Sequence, residues 1–283
     1  IARRMGEDKP GDALRILRSG LLVAGATGIV LVALMGGILS QGFSSVFRDA
    51  ATAAIFDDFM GIRKWGFIPV FMLMMCNAFF MGTARSKVLM WAMVTTGTVN
   101  IVGDFLLMNT TPGWPALGAR GAAMASFAAE CAGLSVLLHH VVRHHGTALR
   151  DAVLLARTEL ADWVKLALPM ILQLTLTLGT WSMFFFLVEQ VGVMELKVSH
   201  IARNYFMLAF VVSQGIQQTT RTYVSTLIGA GRQDELGGVI FRLWVVNLCG
   251  IVLMAHGGIL YPEWLTAPFF EGTEGLSAAA RTL

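Results

Sequence analysis

Asn100 and Asp104 are polar side chains within an apolar stretch of the sequence, "TVNIVGDFLL" at residues 98–107. Residues four apart share one face of a helix, so the amide and the carboxyl group could contact one small cation, or one proton and a water molecule. If this helix crosses a membrane, a charged Asp costs about 2.5–3.5 kcal/mol on insertion scales and needs a partner, a polar cavity or a neutral form. The two residues are therefore a candidate ion-binding site, with a structural hydrogen bond between helices as the alternative interpretation.

The composition indicates that such stretches do cross a membrane. Of the 283 residues, 55% are hydrophobic and only 14% are charged, and the mean hydropathy is +0.66. Soluble domains carry about 25% charged residues, so the sequence predicts a polytopic membrane protein. The net charge of +3 is spread between apolar stretches and does not favour a nucleic-acid partner. The three cysteines also lie in apolar stretches and do not predict a disulfide framework.

Seven apolar stretches could form helices that cross a bilayer, for which about 20 residues are needed. They are residues 17–39, 65–84, 88–109, 118–142, 166–188, 199–220 and 240–260. Residues 49–61 are too short and too acidic a segment to span, and predict an interfacial helix or a loop. Basic residues concentrate in alternate loops, which places the start of the chain and the loop at 143–165 on the cytoplasmic side.

An internal repeat sets the expected domain organisation. "GIVLVALMGGIL" at 28–39 returns as "GIVLMAHGGIL" at 250–260, and residues 1–13 match 224–236 in kind at nearly the same offset. The first and seventh spans are then equivalent, and an advance of six spans preserves orientation, so the sequence predicts an all-α fold with two parallel, pseudo-symmetric lobes. We expect a partial N-terminal lobe at 1–142, a cytoplasmic inter-lobe linker at 143–165 and a partial C-terminal lobe at 166–283.

The linker also has an expected local structure. Its apolar residues fall at helical spacing, which predicts an amphipathic helix on the cytoplasmic membrane surface. These residues are Leu149, Val153, Leu154, Ala156 and Leu160.

Four places in the sequence resemble the MATE (multidrug and toxin extrusion) family of transporters. They are "FFMGTARSK" (79–87), "NIVGDFLL" (100–107) followed by "ALGARGAAMASF" (116–127), "KLALPMILQ" (165–173) and "LIGAGRQDE" (227–235). The first of them lacks the Arg-Gly pair that is usual in the family. The resemblance covers nearly the whole chain, as the family's third to ninth helices and the end of its second, and implies about seven of twelve helices.

The resemblance also implies a function. It implies a secondary transporter of the bacterial plasma membrane that exports amphipathic organic cations by alternating access and Na⁺ or H⁺ antiport. It suggests no enzyme activity, no cofactor beyond the coupling ion and no metal site, and we expect a monomer with a cationic small molecule as its partner.

Within the family, the resemblance favours the DinF-like branch over the NorM-like branch. In the DinF-like branch an Asn and an Asp on the fifth helix and a hydroxyl group on the sixth help to form the coupling-ion site. Asn100, Asp104 and Ser126 match those positions. The NorM-like branch has a carboxylate about where Thr177 lies in this sequence.

Other polar residues in apolar stretches are further candidates. Glu130 lies one turn after Ser126 on the same helix face, and could join the cation-coupling cluster or make only a structural bond to a neighbouring helix. Gln173, Thr177 and Gln214 could line a substrate cavity.

Three rival functions make different demands on the sequence. A lipid-linked precursor flippase of the same superfamily would favour a basic cavity, whereas the deep charges here are mainly acidic. A membrane-embedded enzyme would need clustered His and acidic residues within the membrane, whereas the His residues lie mostly at the ends of apolar stretches. A channel or a purely structural bundle would give no reason for the repeat.

Overall fold

The chain is helical throughout most of the part that the structure describes. The computed structural model describes residues 1–42, 50–108, 116–151, 154 and 156–260. Short 3₁₀ turns at Lys64–Gly66 and Gln233–Glu235 directly precede two of the α-helices, and no strand occurs in the described ranges. The α-helices are α1 (Ala2–Gly6), α2 (Pro10–Ser40), α3 (Ala50–Arg63), α4 (Phe67–Gly82), α5 (Ser86–Met108), α6 (Ala119–Asp151), α7 (Arg157–Val191), α8 (Val193–Gly229) and α9 (Leu236–Leu260).

Six helical segments in the described ranges are long and apolar enough to cross a membrane, by length and composition. They are Pro10–Ser40, Ala50–Gly82, Ser86–Met108, Ala119–Arg150, Thr158–Val191 and Gln233–His256. Six of the seven predicted spans coincide with these segments. The seventh, 199–220, lies in α8, which is 37 residues long but is not among the six. Its first turns carry His200, Arg203 and Asn204, which lower its hydropathy.

The helices expose large apolar side chains, as expected for contact with lipid. On α5, for example, Ile101 is 71% exposed and Phe105 is 62% exposed. Apolar surface on this scale is unusual for a monomeric soluble protein, and helices with their backbone groups paired internally are one of the structures that a bilayer accepts. The all-α, polytopic membrane fold predicted from the sequence is thus confirmed.

The structure corrects the interpretation of residues 49–61, of which 50–61 are described. They form most of α3, which continues through the 3₁₀ turn into α4 and packs along α6, so they extend the second span instead of forming a separate interfacial element. The 3₁₀ turn lies just before Pro69, which has no N–H group to donate to the carbonyl of Trp65. The change in helix type at this point therefore has a local cause in the sequence.

The predicted linker helix is also different in the structure. Residues 143–151 continue α6 and residues 157–165 begin α7, so both parts of the linker extend long helices instead of forming a helix of their own. The backbone N–H of Ala156 donates to Glu159 Oε2 at 2.8 Å, which satisfies a donor at the start of α7. Leu149 packs against the core formed by the preceding helices. Val153 lies outside the described residues, and the cytoplasmic location stays a prediction.

The chain divides into two compact units, with a boundary between Leu155 and Ala156. Unit 1 comprises residues 1–155 with 228–230, and unit 2 comprises 156–227 with 231–283. In unit 1 the core lies between α2, α4, α5 and α6. Its largest fully buried side chains are Leu17, Cys76, Phe79, Phe80, Leu137 and Val141.

In unit 2, aromatic and basic side chains join α7 to α8. The Phe185 ring stacks on His200, with ring centroids 4.7 Å apart. The guanidinium carbon of Arg203 lies 4.9 Å from the centre of the same ring. Such cation–π contacts stabilise by about 0.5–1 kcal/mol at exposed sites. The boundary between the two units lies within the predicted linker, and the assignment of the units to transporter lobes stays a prediction.

The two copies of the predicted repeat contain the same helix-ending turn. Asp8 and Gly231 occupy equivalent positions, and each has a left-handed backbone, with φ of 56° and 75°. In each copy the next residue donates a hydrogen bond back across the turn, as in a Schellman motif. These bonds run from the Lys9 N–H to the Arg4 carbonyl at 2.9 Å and from the Arg232 N–H to the Leu227 carbonyl at 3.0 Å. Matching geometry at matching positions supports the repeat.

Candidate ion-coupling site

The candidate site lies where α5 and α6 approach most closely. A Cβ added to Gly103 would lie 2.8 Å from the Cβ of Ala125, and one added to Gly121 would overlap the backbone carbonyl of Leu107. Because positions later on α5 meet positions earlier on α6, the two helices run antiparallel. Small residues at such contacts are what allow membrane helices to pack backbone to backbone.

Asn100 and Ser126 meet directly across this contact. The Asn100 Nδ2 group donates a hydrogen bond to Ser126 Oγ over 3.3 Å. Both side chains are half-buried. The structure therefore brings together two of the four residues predicted to form the cation-coupling cluster, one from each helix.

Asp104 lies one turn further along α5, beside this hydrogen bond. Its side chain is half-buried, and its Oδ1 atom is buried without a hydrogen-bond donor among the described residues. A buried polar atom without a partner destabilises a protein by about 1–3 kcal/mol, and by more when it is charged. A proton or a cation bound at this carboxyl group would remove that penalty, and the oxygen atoms of Asn100 and Ser126 are the ligand type that hard cations prefer.

Glu130 has a different environment, which the sequence did not predict. Arg63 of α3 binds it through two parallel hydrogen bonds, Nη1 to Oε2 at 2.9 Å and Nη2 to Oε1 at 2.5 Å. Glu130 is only 9% exposed and the Arg63 side chain is 30% exposed, so this is a bidentate ion pair whose acid is buried and whose base is partly exposed. Gly66 lies against the pair, where a Cβ would meet both side chains. The arrangement favours the structural interpretation of Glu130, and its coupling role stays a prediction.

Arg63 does not pair with the acids of its own helix, Asp57 and Asp58. Those acids lie six and five residues earlier on the same helix, and only residues three or four apart face each other. Asp58 instead binds Arg120 of α6, at 2.8 Å. The signal available in the sequence was Glu130 itself, because an acid within the apolar stretch at 118–142 calls for a basic partner.

The candidate substrate-cavity residues lie in unit 2. Thr177 lines a groove of about 440 Å³ on α7 together with Thr180, Trp181 and Phe184. Its hydroxyl group donates to the backbone carbonyl of Gln173 at 2.9 Å. The Gln173 and Gln214 side chains are exposed, and their role in a cavity stays a prediction.

The close α5–α6 contact gives a testable prediction. We expect Gly121→Ala to lower the free energy of unfolding by ~1–3 kcal/mol, because the new methyl group would overlap the Leu107 backbone, which has no flexible end to move. Thermal unfolding of the purified full protein in detergent measures the change.

A matched control for this substitution lies on α5 itself. No heavy atom lies within 4 Å of a Cβ added at Gly97. Gly97→Ala is therefore expected to leave the stability unchanged or to raise it by about 0.5–1 kcal/mol, since alanine favours a helix. Equal destabilisation by both substitutions would contradict the close packing described above.

Sequence comparison finds related proteins of bacteria. No protein-family model matches the chain. A protein named "Probable multidrug resistance protein NorM" from Agrobacterium fabrum is 22% identical over 280 residues, covering 96% of this chain and 59% of the relative. Proteins of the same name from Rhizobium meliloti and Thermotoga maritima are 23% and 21% identical, covering 74% and 95% of this chain and 45% and 58% of the relatives. The chain thus spans about half the length of these curated relatives.

Comparison with solved structures gives the fold. The structure described as "Crystal structure of MATE in the straight conformation" matches with a TM-score of 0.72 at 18% sequence identity. The match covers 100% of this chain and 63% of the other.

The chain is therefore a multi-pass protein of the bacterial plasma membrane with the fold of a MATE transporter. Within that class it resembles the bacterial multidrug resistance proteins named NorM, over nearly all of its own length. The resemblance stated from the sequence is confirmed. The shared name does not test the assignment to the DinF-like branch, which stays a prediction.

Proposed function

We propose that the protein exports amphipathic organic cations by antiport against Na⁺ or H⁺, through alternating access. The observation that carries the proposal is the buried Oδ1 atom of Asp104, which has no donor among the described residues and lies one turn from the Asn100–Ser126 hydrogen bond. A carboxyl group that is buried in a membrane helix without a hydrogen-bond donor is a suitable site for binding and releasing an ion.

The coupling would follow from differences in ion affinity between two conformations. Where the Asp104 carboxyl group is closed to water, a bound proton or cation would neutralise its charge, which is costly in an apolar environment. A conformation in which Asn100 and Ser126 add their oxygen atoms to the site would bind Na⁺ more tightly than one in which the helices separate. If the ion binds one conformation more tightly than the other, its binding shifts the equilibrium towards that conformation. A substrate that prefers the other conformation shifts the equilibrium back, so the binding of the ion and the binding of the substrate oppose each other.

The substrate class is proposed from two observations. The relatives are named as multidrug resistance proteins. The groove on α7 carries Trp181 and Phe184 beside two threonines, and its volume of about 440 Å³ is within the usual range for a small organic molecule. Aromatic faces attract organic cations through their quadrupole, so an amphipathic cation fits this surface. Transport of this kind changes no bond in the substrate, and we propose no enzymatic activity.

A gradient experiment in proteoliposomes tests the function. The full protein is reconstituted, and a fluorescent amphipathic cation such as ethidium is followed under an imposed Na⁺ gradient at constant pH, or under a pH gradient without Na⁺. We expect one of the two gradients to drive the dye against its own concentration gradient, because only an ion that exchanges at the coupling site supplies the free energy.

The controls are liposomes without protein and liposomes with both gradients collapsed by ionophores. Failure of both gradients to move the dye would contradict the proposal. Movement of a fluorescent lipid-linked phosphate across the bilayer under the same conditions would then favour the flippase.

A further inference from the structure

A groove of about 560 Å³ lies between the first turns of α5 and the C-terminal half of α6, in unit 1. Its walls are apolar and include Val88 and Trp91 of α5 and Val136 of α6. Trp91 is 62% exposed, so its ring is accessible to the lipid around the helices. A groove of this shape on a membrane-facing surface can hold an acyl chain.

One end of the groove is positively charged. Lys87, one residue after the start of α5, lines it together with His139 and His140 of α6. Arg85 directly precedes α5 and Arg143 lies one turn after His139 on α6, so each adds a positive charge near this end. The side chains of Arg85, Lys87, His139 and Arg143 are all exposed.

These basic groups are not neutralised within the described part of the chain. No described acidic side chain forms an ion pair with Arg85, Lys87 or Arg143. The start of α5 also contributes the partial positive charge of a helix N-terminus. The groove therefore joins an apolar channel to a cationic end. These two parts are complementary to the acyl chain and the negatively charged headgroup of an anionic lipid.

We propose that this groove binds an anionic glycerophospholipid, with the phosphate at Lys87 and His139 and an acyl chain along Trp91 and Val136. Lys87 and Trp91 lie four residues apart, on the same face of α5, so the headgroup and the start of the chain meet one continuous surface. Lysine near a helix end and tryptophan beside it is the arrangement found at the level of lipid headgroups. The proposal concerns a lipid ligand of unit 1 and does not depend on the transported substrate.

Quenching of Trp91 by brominated lipids tests the proposal. The full protein is reconstituted in phosphatidylcholine bilayers that contain brominated phosphatidylglycerol or brominated phosphatidylcholine. The difference between the wild type and Trp91→Phe isolates the fluorescence of this residue from that of the other tryptophans. We expect phosphatidylglycerol to associate at Trp91 several-fold more strongly than phosphatidylcholine, and Lys87→Gln to reduce that preference about fivefold.

Lys165→Gln is the control, because it removes the charge of another exposed lysine near the start of a different helix, where among the described residues it pairs only with the exposed Asp162. It should leave the preference at Trp91 unchanged. Lys87 is exposed and makes no bond to described residues, so Lys87→Gln should unfold at the wild-type temperature. Arg143→Gln provides a second, independent reduction of the charge.

Three results would overturn the proposal. The first is equal quenching by the two brominated lipids in the wild type. The second is a preference for phosphatidylglycerol that neither Lys87→Gln nor Arg143→Gln reduces. The third is a preference that Lys165→Gln reduces as much as Lys87→Gln does, which would show a general effect of the protein's charge and no specific site in this groove.

Discussion

Asp104→Asn is expected to reduce ion-driven export of a cationic dye by about 5–150-fold, the range that a coupling free energy of ~1–3 kcal/mol produces. The substitution removes the carboxyl group that would bind the proton or cation but nearly keeps the shape of the side chain. Because Oδ1 has no donor among the described residues, the amide can take its place without the loss of a hydrogen bond seen in the structure. Dye transport in proteoliposomes under the effective ion gradient measures the change.

The control for this experiment is Asp162→Asn, the same chemical change at an exposed carboxylate. Asp162 lies near the start of α7, where it pairs with Lys165 over 3.4 Å. We expect this variant to transport the dye at the wild-type rate when both proteins are reconstituted in equal amounts. If Asp104→Asn also transports at that rate, the carboxyl group of Asp104 is structural and the proposed coupling site is wrong.

The second large effect is expected at the Arg63–Glu130 ion pair. Arg63→Met alone should lower the free energy of unfolding by ~3–5 kcal/mol, because it leaves the buried Glu130 carboxylate without its partner. Glu130→Gln alone should lower it by less, because the Arg63 side chain is 30% exposed. Combining the two substitutions, Arg63→Met with Glu130→Gln, should restore most of this loss, since no buried charge then remains. Thermal unfolding of the four proteins in detergent gives the coupling free energy through a double-mutant cycle.

An exposed ion pair between the same two helices is the matched control. Arg120 and Asp58 also join α6 to α3, over 2.8 Å, but their side chains are 59% and 44% exposed. Their double-mutant cycle should give only ~0–1 kcal/mol. A coupling free energy for Arg63 and Glu130 that is no larger than this would contradict the structural interpretation.

The same variants also decide between the two interpretations of Glu130. A Glu130→Gln protein that unfolds at the wild-type temperature but no longer couples transport to the ion gradient would place Glu130 in the cation-coupling cluster. A protein that is destabilised but still transports in proportion to its folded fraction would confirm that the ion pair holds α3 against α6.

Much of the α5–α6 region could be predicted from the sequence because its determinants are local. Hydropathy over about 20 residues defines a span, and the period of the helix places Asn100 and Asp104 on one face whatever the rest of the chain does. The proximity of Ser126 to Asn100 was expected from the resemblance to a family and not from spacing. The local sequence of α6 does not determine which of its faces packs against α5. The structure supplies that contact as a hydrogen bond of 3.3 Å.

The partner of Glu130 depended on packing between helices that are distant in sequence. Arg63 and Glu130 are 67 positions apart, and only the packing of α3 along α6 brings them together. The same packing explains why residues 50–61 continue a long helical segment despite their acids, since Asp58 meets Arg120 there. A hydropathy average over about 20 residues includes the charge of Asp58 but not Arg120, which neutralises it and is distant in sequence.

The sequence by itself determined six of the seven predicted spans, the repeat that contains the turns at Asp8 and Gly231, and the shared face of Asn100 and Asp104. Each follows from interactions within a few turns of one helix or from burial of one apolar stretch in lipid. Only the tertiary structure decided which polar groups are joined and which are left without a donor, since that depends on how neighbouring helices meet. That distinction separates Glu130, whose charge Arg63 already satisfies, from Asp104, whose buried oxygen has no donor among the described residues.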